Sequence, residues 1–151
     1  MAELKARLRA DLNAAMRARD QVRMRTLRMA LTSITNEEVA GAAARDLSDD
    51  EIVKVLTREA RKRREAAEAF AAAGRDERAA AERAEGEVLA GYLPAQLSDD
   101  ELAALVAAAI TETGASGLPG MGLVMKALTP RVAGRADGAR VAAEVRRRLS
   151  G

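Results

Sequence analysis

Cysteine, histidine and tryptophan are absent from this sequence, and the absence of the first two excludes several kinds of chemistry. Without cysteine the chain can form no disulfide and has no thiol nucleophile, and without either residue it cannot build a zinc site of the Cys and His type. Without histidine no reaction can use an imidazole as general base. Lysines and carboxylates remain, but no isolated pair of them lies in an apolar stretch. We therefore expect no catalytic residue, no metal site and no cofactor.

Aromatic residues are almost absent, with Phe70 and Tyr92 as the only two. β-branched residues are also few, whereas alanine, leucine, arginine and glutamate are abundant, and this composition favours helix throughout. The sequence therefore predicts an all-α protein. Since proteins read single-stranded RNA by stacking its bases on aromatic side chains, any contact with RNA must use phosphates and overall shape instead.

Long hydrophobic runs are also missing. No stretch approaches the length that crosses a bilayer, and the first residues, Met-Ala-Glu-Leu-Lys, lack the apolar segment of a signal peptide. We expect a cytoplasmic protein that does not contact a membrane.

What is present is helical patterning along most of the chain. Residues 3–18 have the apolar spacing of an amphipathic helix, and Asp20 can cap a second helix that stops near Gly41. A capping box begins at Ser48 and another at Ser98, each with a glutamate three residues later. We interpret them as two similar helix starts and not as a repeat, because the sequences that follow them differ.

The first capping box opens a long helix that runs from Asp49 to about Ala73. Gly74 then offers a stop and Asp76 a new cap, so this segment reads as the bend of a helical hairpin. Its alanine content makes the hairpin a low-stability arm, because alanine buries little area. We place the domain boundary after the arm, with residues 1–93 as an N-terminal helical domain and residues 94–151 as a small three-helix bundle.

Four consecutive basic residues, Arg61, Lys62, Arg63 and Arg64, lie in the long helix. Neighbouring residues of a helix differ by about 100° in direction, so these side chains surround the helix and cannot all be buried. We interpret them as a solvated face. They also form a secondary basic patch that could meet a polyanion or an acidic partner.

The stretch from Leu118 to Arg140 is rich in glycine and proline and reads as a short helix, near Met121 to Leu128, followed by a turn and the start of another helix. We assign turn and cap roles to a set of small or acidic residues. They are Gly122, Gly134, Asp137 and Gly138, with Asp137 capping the last helix.

Charge is distributed unevenly over the C-terminal part of the chain. Residues 94–116 carry four acids and no base, whereas residues 117–151 carry seven bases and two acids, although the whole chain has a net charge of only +2. Such an asymmetry predicts a one-sided basic surface for a polyanion. The predicted contacts to RNA phosphates are Lys126, Arg131, Arg135 and Arg140.

Several segments together resemble the GatB/YqeY family over essentially the full length. They are Leu27-Arg28-Met29-Ala30-Leu31, Lys62-Arg63-Arg64-Glu65-Ala66 with Phe70, Glu87-Val88-Leu89, Tyr92-Leu93-Pro94-Ala95-Gln96-Leu97-Ser98, Met121-Gly122, Val124-Met125-Lys126-Ala127-Leu128 and, most specific, Gly134-Arg135-Ala136-Asp137-Gly138. The family usually has an acid where this chain has Gly120 and a lysine where it has Leu123. The second difference weakens any phosphate contact at that position.

The resemblance implies an N-terminal helical arm and a C-terminal bundle. The bundle would be similar to the tail domain of the GatB subunit of the glutaminyl- and asparaginyl-tRNA amidotransferase, which contacts tRNA. The catalytic parts of that larger enzyme lie in regions that this chain does not contain. A family label of carbon–nitrogen ligase, with glutamine as amido donor, would therefore describe the amidotransferase and not this chain.

Two hypotheses from different classes remain open. The first is a non-catalytic accessory protein that binds tRNA weakly through the basic residues of the bundle. The second is a protein-interaction module whose alanine-rich arm docks on a partner such as an amidotransferase or synthetase component. An inherited amidotransferase activity is a third and weaker reading, and the sequence leaves the oligomeric state open.

Overall fold

A computed structural model describes residues 3–151, and within these residues it contains seven α-helices, one short 3-10 helix and no strand. This confirms the predicted all-α class. The chain divides into two compact units, Met1–Leu93 and Pro94–Gly151, each with a hydrophobic core of its own.

The N-terminal unit consists of four helices, α1 (Glu3–Ala18), α2 (Gln21–Glu38), α3 (Asp49–Ala72) and α4 (Asp76–Ala90). Its core is built from leucine, isoleucine and valine side chains of all four helices, with Tyr92 closing one end. The buried members are Leu8, Leu27, Ala30, Ile34, Leu47, Ile52, Val55, Leu56, Leu89 and Tyr92.

Helix starts in this unit follow the capping residues, with one exception. The Asp20 side chain accepts from the Arg23 N–H at the start of α2, and Ser48 forms a complete capping box with Glu51. The prediction that Asp76 caps α4 is wrong, because Arg75 occupies the cap position without a side-chain bond. Asp76 is instead the first helical residue, where its charge still favours the positive end of the helix.

The predicted stop of α2 at Gly41 is also late, since the helix ends at Glu38. The chain turns earlier because the Arg45 N–H donates to the Glu38 carbonyl at 3.0 Å. In addition, the Glu38 carboxylate accepts two hydrogen bonds from Lys5 on α1, both of 2.8 Å. These contacts fix the last turn of α2 before glycine is reached.

Helices α3 and α4 form the predicted hairpin. Gly74 lies at its bend with φ of 75°, a left-handed conformation that favours glycine. Ala67 and Ala79 are buried between the two helices, with exposures of 2% and 0%. Small side chains therefore let the helices approach each other, as the alanine content predicts.

The C-terminal unit is a three-helix bundle of α5 (Asp99–Thr113), α6 (Met121–Val132) and α7 (Gly138–Ser150), with a 3-10 turn at Leu118–Gly120. One face of each helix supplies the core. The buried members are Leu97, Leu102, Val106, Ala109, Val124, Leu128, Val132, Ala136, Val141, Val145 and Leu149.

Helix α6 is longer than predicted, because it continues past Leu128 to Val132 and includes Pro130. A proline inside a helix removes one backbone N–H bond and crowds the preceding turn. Here it lies in the last turn, so few further bonds depend on it. Val132 is buried, and its packing in the core favours the extra turn.

Among residues 3–151 no single helix has both the length and the apolar character needed to cross a membrane. The α5 helix and the segment Leu118–Val132 meet that test only as a pair, bent by 93°.

Candidate nucleic-acid interface

Two of the four predicted phosphate contacts, Arg135 and Arg140, lie against the segment that leads into α5. Arg135 Nε donates to the Ala95 carbonyl at 3.3 Å, and Arg140 Nη1 donates to the Leu97 carbonyl at 2.8 Å. Arg140 Nη2 also pairs with Asp99 Oδ1 at 2.7 Å. These two arginines are brought together, and they stabilise the entry to the bundle.

Backbone contacts strengthen the same junction. The Leu97 N–H donates to the Arg135 carbonyl at 2.8 Å, and the Gln96 side-chain amide donates to the Gly134 carbonyl at 2.8 Å. Gly134 has φ of 72°, which favours glycine. The segment before α5 and the turn before α7 therefore hold each other in place.

The other predicted turn residues divide into two kinds. Asp137 caps α7, since its carboxylate accepts from the Arg140 N–H at 3.0 Å. At Gly122 and Gly138 an added Cβ would meet nothing within 4 Å, and neither glycine has a positive φ. Their positions therefore impose no steric need for glycine.

Arg131 lies at the opposite end of α5 from Arg140. It forms a two-bond ion pair with Glu112 in the last turn of that helix, and the pair holds the pKa of Arg131 above its usual value through the hydrogen bond and the charge of Glu112. Asp99 and Glu112 are the ion-pair partners at the two ends. Thirteen residues of helix separate them, about 20 Å along the axis.

Lys126 takes part in neither of these contacts. It is exposed on α6 and makes no hydrogen bond or ion pair with any residue that the structure describes. Lys126 and Arg131 differ by about 140° around the helix. The four predicted cations therefore form separate contact points on the C-terminal unit and not one continuous patch.

Two of these contact points carry exposed ion pairs. The side chains of Arg131 and Glu112 are 38% and 53% exposed, and that of Asp99 is 97% exposed. Ion pairs in such positions contribute about 0.2–1 kcal/mol each, because water screens the charges. A phosphate group can therefore displace the carboxylate at little cost.

The basic run Arg61–Arg64 is engaged within the N-terminal unit. Arg63 lies between Glu59 and Glu85, at 3.2 and 3.3 Å, and the side chains of all three residues are less than a fifth exposed. Lys62 pairs with Glu59 at 3.4 Å, Arg61 approaches Glu65 at 3.8 Å, and Arg64 also has a contact.

The same acids connect three helices, since Ser33 of α2 donates to Glu59 at 3.1 Å and Arg25 of α2 donates to Glu85 at 2.8 Å. Arg63 is therefore part of a semi-buried network that joins α2, α3 and α4. The sequence interpretation of a solvated face did not find this network. The spacing of four residues between Glu59 and Arg63 was the one available signal.

A model of the family described as Yqey-like protein matches residues 5–149, which include nearly all of both units. No curated protein matches the chain. The family match agrees with the resemblance carried by the sequence motifs. The chain therefore belongs to the YqeY-like protein family.

Proposed function

We propose that this protein is a non-catalytic accessory protein that binds folded RNA, with tRNA as the first RNA to test. The observation that supports it is the position of Arg131 and Arg140 near the two ends of α5, where their carboxylate partners, Glu112 and Asp99, are exposed and can be displaced. The resemblance to the tail domain of the tRNA-dependent amidotransferase gives the class of RNA.

The spacing of these contacts suits a folded RNA. A structured RNA presents phosphates along its surface over tens of ångströms. Arg131 and Arg140, whose acidic partners lie about 20 Å apart along α5, can therefore meet two parts of one backbone. Phosphate contacts carry no base sequence information. Binding through them is weak for one small unit, and it falls steeply as salt rises.

Anisotropy of labelled, deacylated tRNA titrated with the full chain at two salt concentrations tests this function. The variant Lys126→Gln with Arg131→Gln should bind several-fold more weakly, and the slope of log K against log salt should fall by about 2. The matched control is Arg147→Gln with Arg148→Gln, which removes the same charge from arginines whose shared partner, Glu144, is 17% exposed against 53% for Glu112 and is therefore harder for a phosphate to displace. Absence of tRNA binding at low salt, or an equal loss in the control, overturns the proposal.

A second candidate is docking of the α3–α4 arm on a helical partner. Several alanines of the arm face solvent, and small residues permit close helix contact. The exposed ones are Ala69, Ala72, Ala73, Ala80 and Ala81. The chain can be immobilised and its bound proteins recovered after nuclease treatment. Docking predicts that one partner protein is still recovered and that it is lost when Ala73 and Ala80 become glutamate. Loss of all partners after nuclease supports RNA binding instead.

A further inference from the structure

Helices α1 and α2 of the N-terminal unit carry a second cationic surface, separate from the predicted phosphate contacts of the C-terminal unit. Lys5 on α1 contacts Glu38 on α2, and Arg28 Nη2 on α2 lies 3.7 Å from Met16 Sδ on α1. Lys5, Arg9 and Met16 fall within about 40° of one another around α1, so they lie on the side of α1 that is next to α2. Arg17 lies about 80° from Arg9 around the helix, and Arg19 follows its end. We call the surface that carries Arg9, Arg17, Arg19 and Arg28 the α1–α2 face.

The charges of this face are not neutralised by ion pairs. Arg9, Arg17 and Arg19 are exposed and make no hydrogen bond or ion pair with any residue in 3–151. Arg28 is exposed too, and the one contact of its guanidinium group among residues 3–151 is with the Met16 thioether, a neutral and weak acceptor. This differs from the C-terminal unit, where Arg131 and Arg140 each have a carboxylate partner.

The acids nearest in sequence to these arginines form their hydrogen bonds with other groups. The Asp20 carboxylate accepts from the Arg23 N–H at 3.1 Å as the cap of α2. The Asp11 carboxylate accepts from the Tyr92 hydroxyl at 2.5 Å and lies 3.9 Å from Arg7. Glu38 on α2 is paired with Lys5, and Arg9 acts on it through its charge without an ion pair. The positive potential of the four arginines is therefore offset only in part and can still attract a ligand.

Arg19 has a strained backbone conformation, which indicates that its side chain has a role in binding. It ends α1 in a Schellman arrangement, in which the Asp20 N–H donates to the Ala15 carbonyl at 3.0 Å and the Arg19 N–H to the Met16 carbonyl at 3.2 Å. Its φ of 58° makes it the one non-glycine residue with positive φ in the described part of the chain. Glycine would adopt this conformation without strain, so arginine is present here at a cost to folding.

We propose that the α1–α2 face binds the sugar–phosphate backbone of a folded RNA, and this rests on the proposed function for the class of partner. All four cations are arginines, whose planar guanidinium groups match phosphate oxygens in pairs. Thr32 and Thr35 lie on the same side of α2 as Arg28, and their hydroxyls donate to the carbonyls of Arg28 and Leu31. The hydroxyl oxygens keep lone pairs that can accept from ribose 2′-hydroxyl groups.

A membrane surface fits this face less well. Helices that bind at a lipid surface combine basic residues with a broad apolar face that often includes Trp, Phe or Leu. Met16, 42% exposed, is the one large apolar side chain exposed between Arg9 and Arg28. The neutral threonines likewise offer nothing to an acyl chain.

Titration of labelled, deacylated tRNA with the full chain tests the assignment. The variant Arg9→Gln with Arg28→Gln should bind at least about tenfold more weakly, and its salt slope should fall by about 2. The matched control is Arg45→Gln with Arg58→Gln, which removes the same charge from the same unit at two exposed arginines outside the α1–α2 face. The control should change affinity less than about twofold.

A second variant separates binding from folding. Arg19→Gly relieves the left-handed arginine, so the chain should unfold at a higher temperature while it binds tRNA more weakly. A purely structural role for Arg19 predicts the first change without the second. Unchanged tRNA affinity in this variant therefore removes Arg19 from the interface.

Failure of the α1–α2 face can be distinguished from failure of the proposed function. If the wild-type chain does not bind tRNA at low salt, both this proposal and the proposed function are overturned. If Lys126→Gln with Arg131→Gln weakens binding but Arg9→Gln with Arg28→Gln does not, only the α1–α2 face is overturned. Retention of the wild-type chain on vesicles that contain anionic phospholipid, without tRNA binding, assigns the face to a membrane and contradicts the proposal.

Discussion

Arg63 and Arg9 have the same side chain in very different surroundings. Arg63 lies between two carboxylates with its side chain 16% exposed, and removal of its charge would leave Glu59 and Glu85 with fewer partners. Arg9 is exposed and has no ion pair within the described residues. The first arginine supports the fold directly, whereas the charge of the second acts only at a distance, on Glu38, so Arg9→Gln should disturb the fold less than Arg63→Gln.

Tyr92 provides a direct electrostatic test, because it is the one tyrosine of a chain without tryptophan. Burial and the hydrogen bond to Asp11 raise the pKa of Tyr92 to about 12. The ultraviolet absorbance of the tyrosinate should therefore titrate near pH 12, and Asp11→Asn should lower this midpoint while burial keeps it above 10.0. A midpoint near 10 in the folded wild-type chain would contradict this environment.

The sign of the Tyr92 effect on stability follows from the same shift. The folded-state pKa is raised, so the contribution of the neutral hydroxyl is present below the unfolded pKa near 10.0 and is lost as pH rises through about 12. Circular dichroism recorded beside the absorbance shows whether the chain is still folded when the hydroxyl ionises.

The lowered pKa of Glu51 predicts that stability depends on pH in the opposite direction to the effect of Tyr92. The Arg45 guanidinium and the Ser48 N–H lower the pKa of Glu51 from 4.5 to about 2. Its contribution to stability is therefore present above pH 4.5 and is lost as pH falls from there to about 2. Glu51→Gln should make the melting temperature less dependent on pH in this window.

Glu101 is the natural control for Glu51. It occupies the same position in the second capping box, where the Ser98 N–H and hydroxyl lower its pKa, but no arginine bonds to its carboxylate within the described residues. Glu101→Gln should therefore flatten the pH dependence less than Glu51→Gln does. Equal effects of the two substitutions would show that Arg45 contributes nothing to the acid transition.

At the scale of the helices, the features that depend on a few neighbouring residues could be predicted. Ser48 and Ser98 begin their helices as predicted, and Gly114, with φ of 67°, ends α5. The contact between Lys5 and Glu38 could not be predicted, because it depends on how α1 and α2 pack between residues that are 33 positions apart in the sequence. The early end of α2 follows from that contact.

Two glycines of the arm should respond to the same substitution with opposite signs. Gly74 has φ of 75°, so Gly74→Ala should lower the free energy of unfolding by about 1 kcal/mol. Gly86 lies inside α4, where an added Cβ would lie 3.8 Å from Arg63 Cβ, an ordinary contact. Gly86→Ala should raise the free energy of unfolding by about 0.5–1 kcal/mol.

Urea unfolding of the two variants beside the wild-type chain measures both changes. Since each substitution adds one methyl group to the same hairpin, a general effect of added apolar surface would move both in the same direction. Shifts of the same sign would therefore show that the left-handed conformation at Gly74 is not what determines the result.

At the scale of the whole molecule, the charge asymmetry of the C-terminal sequence has a structural explanation. The acid-rich segment 94–116 and the base-rich segment 117–151 belong to one bundle, and the ion pairs of Arg131 with Glu112 and of Arg140 with Asp99 join them. Sequence segments with opposite charge can thus neutralise each other when they pack together. The candidate cations could be identified from the sequence, but their partners and their separation could not.

Two separate cores predict that the units unfold separately. Leu56 is fully buried in the N-terminal core and Leu128 in the C-terminal core, both with 0% exposure. Leucine to alanine in such a position lowers stability by about 2–5 kcal/mol, through lost transfer energy and the cavity that remains.

Leu128→Ala should therefore increase amide hydrogen exchange in α5, α6 and α7 while α1 to α4 keep their protection, and Leu56→Ala should do the reverse. If either substitution increases exchange equally in both units, the cores unfold as one cooperative structure, and each unit depends on the other for its stability.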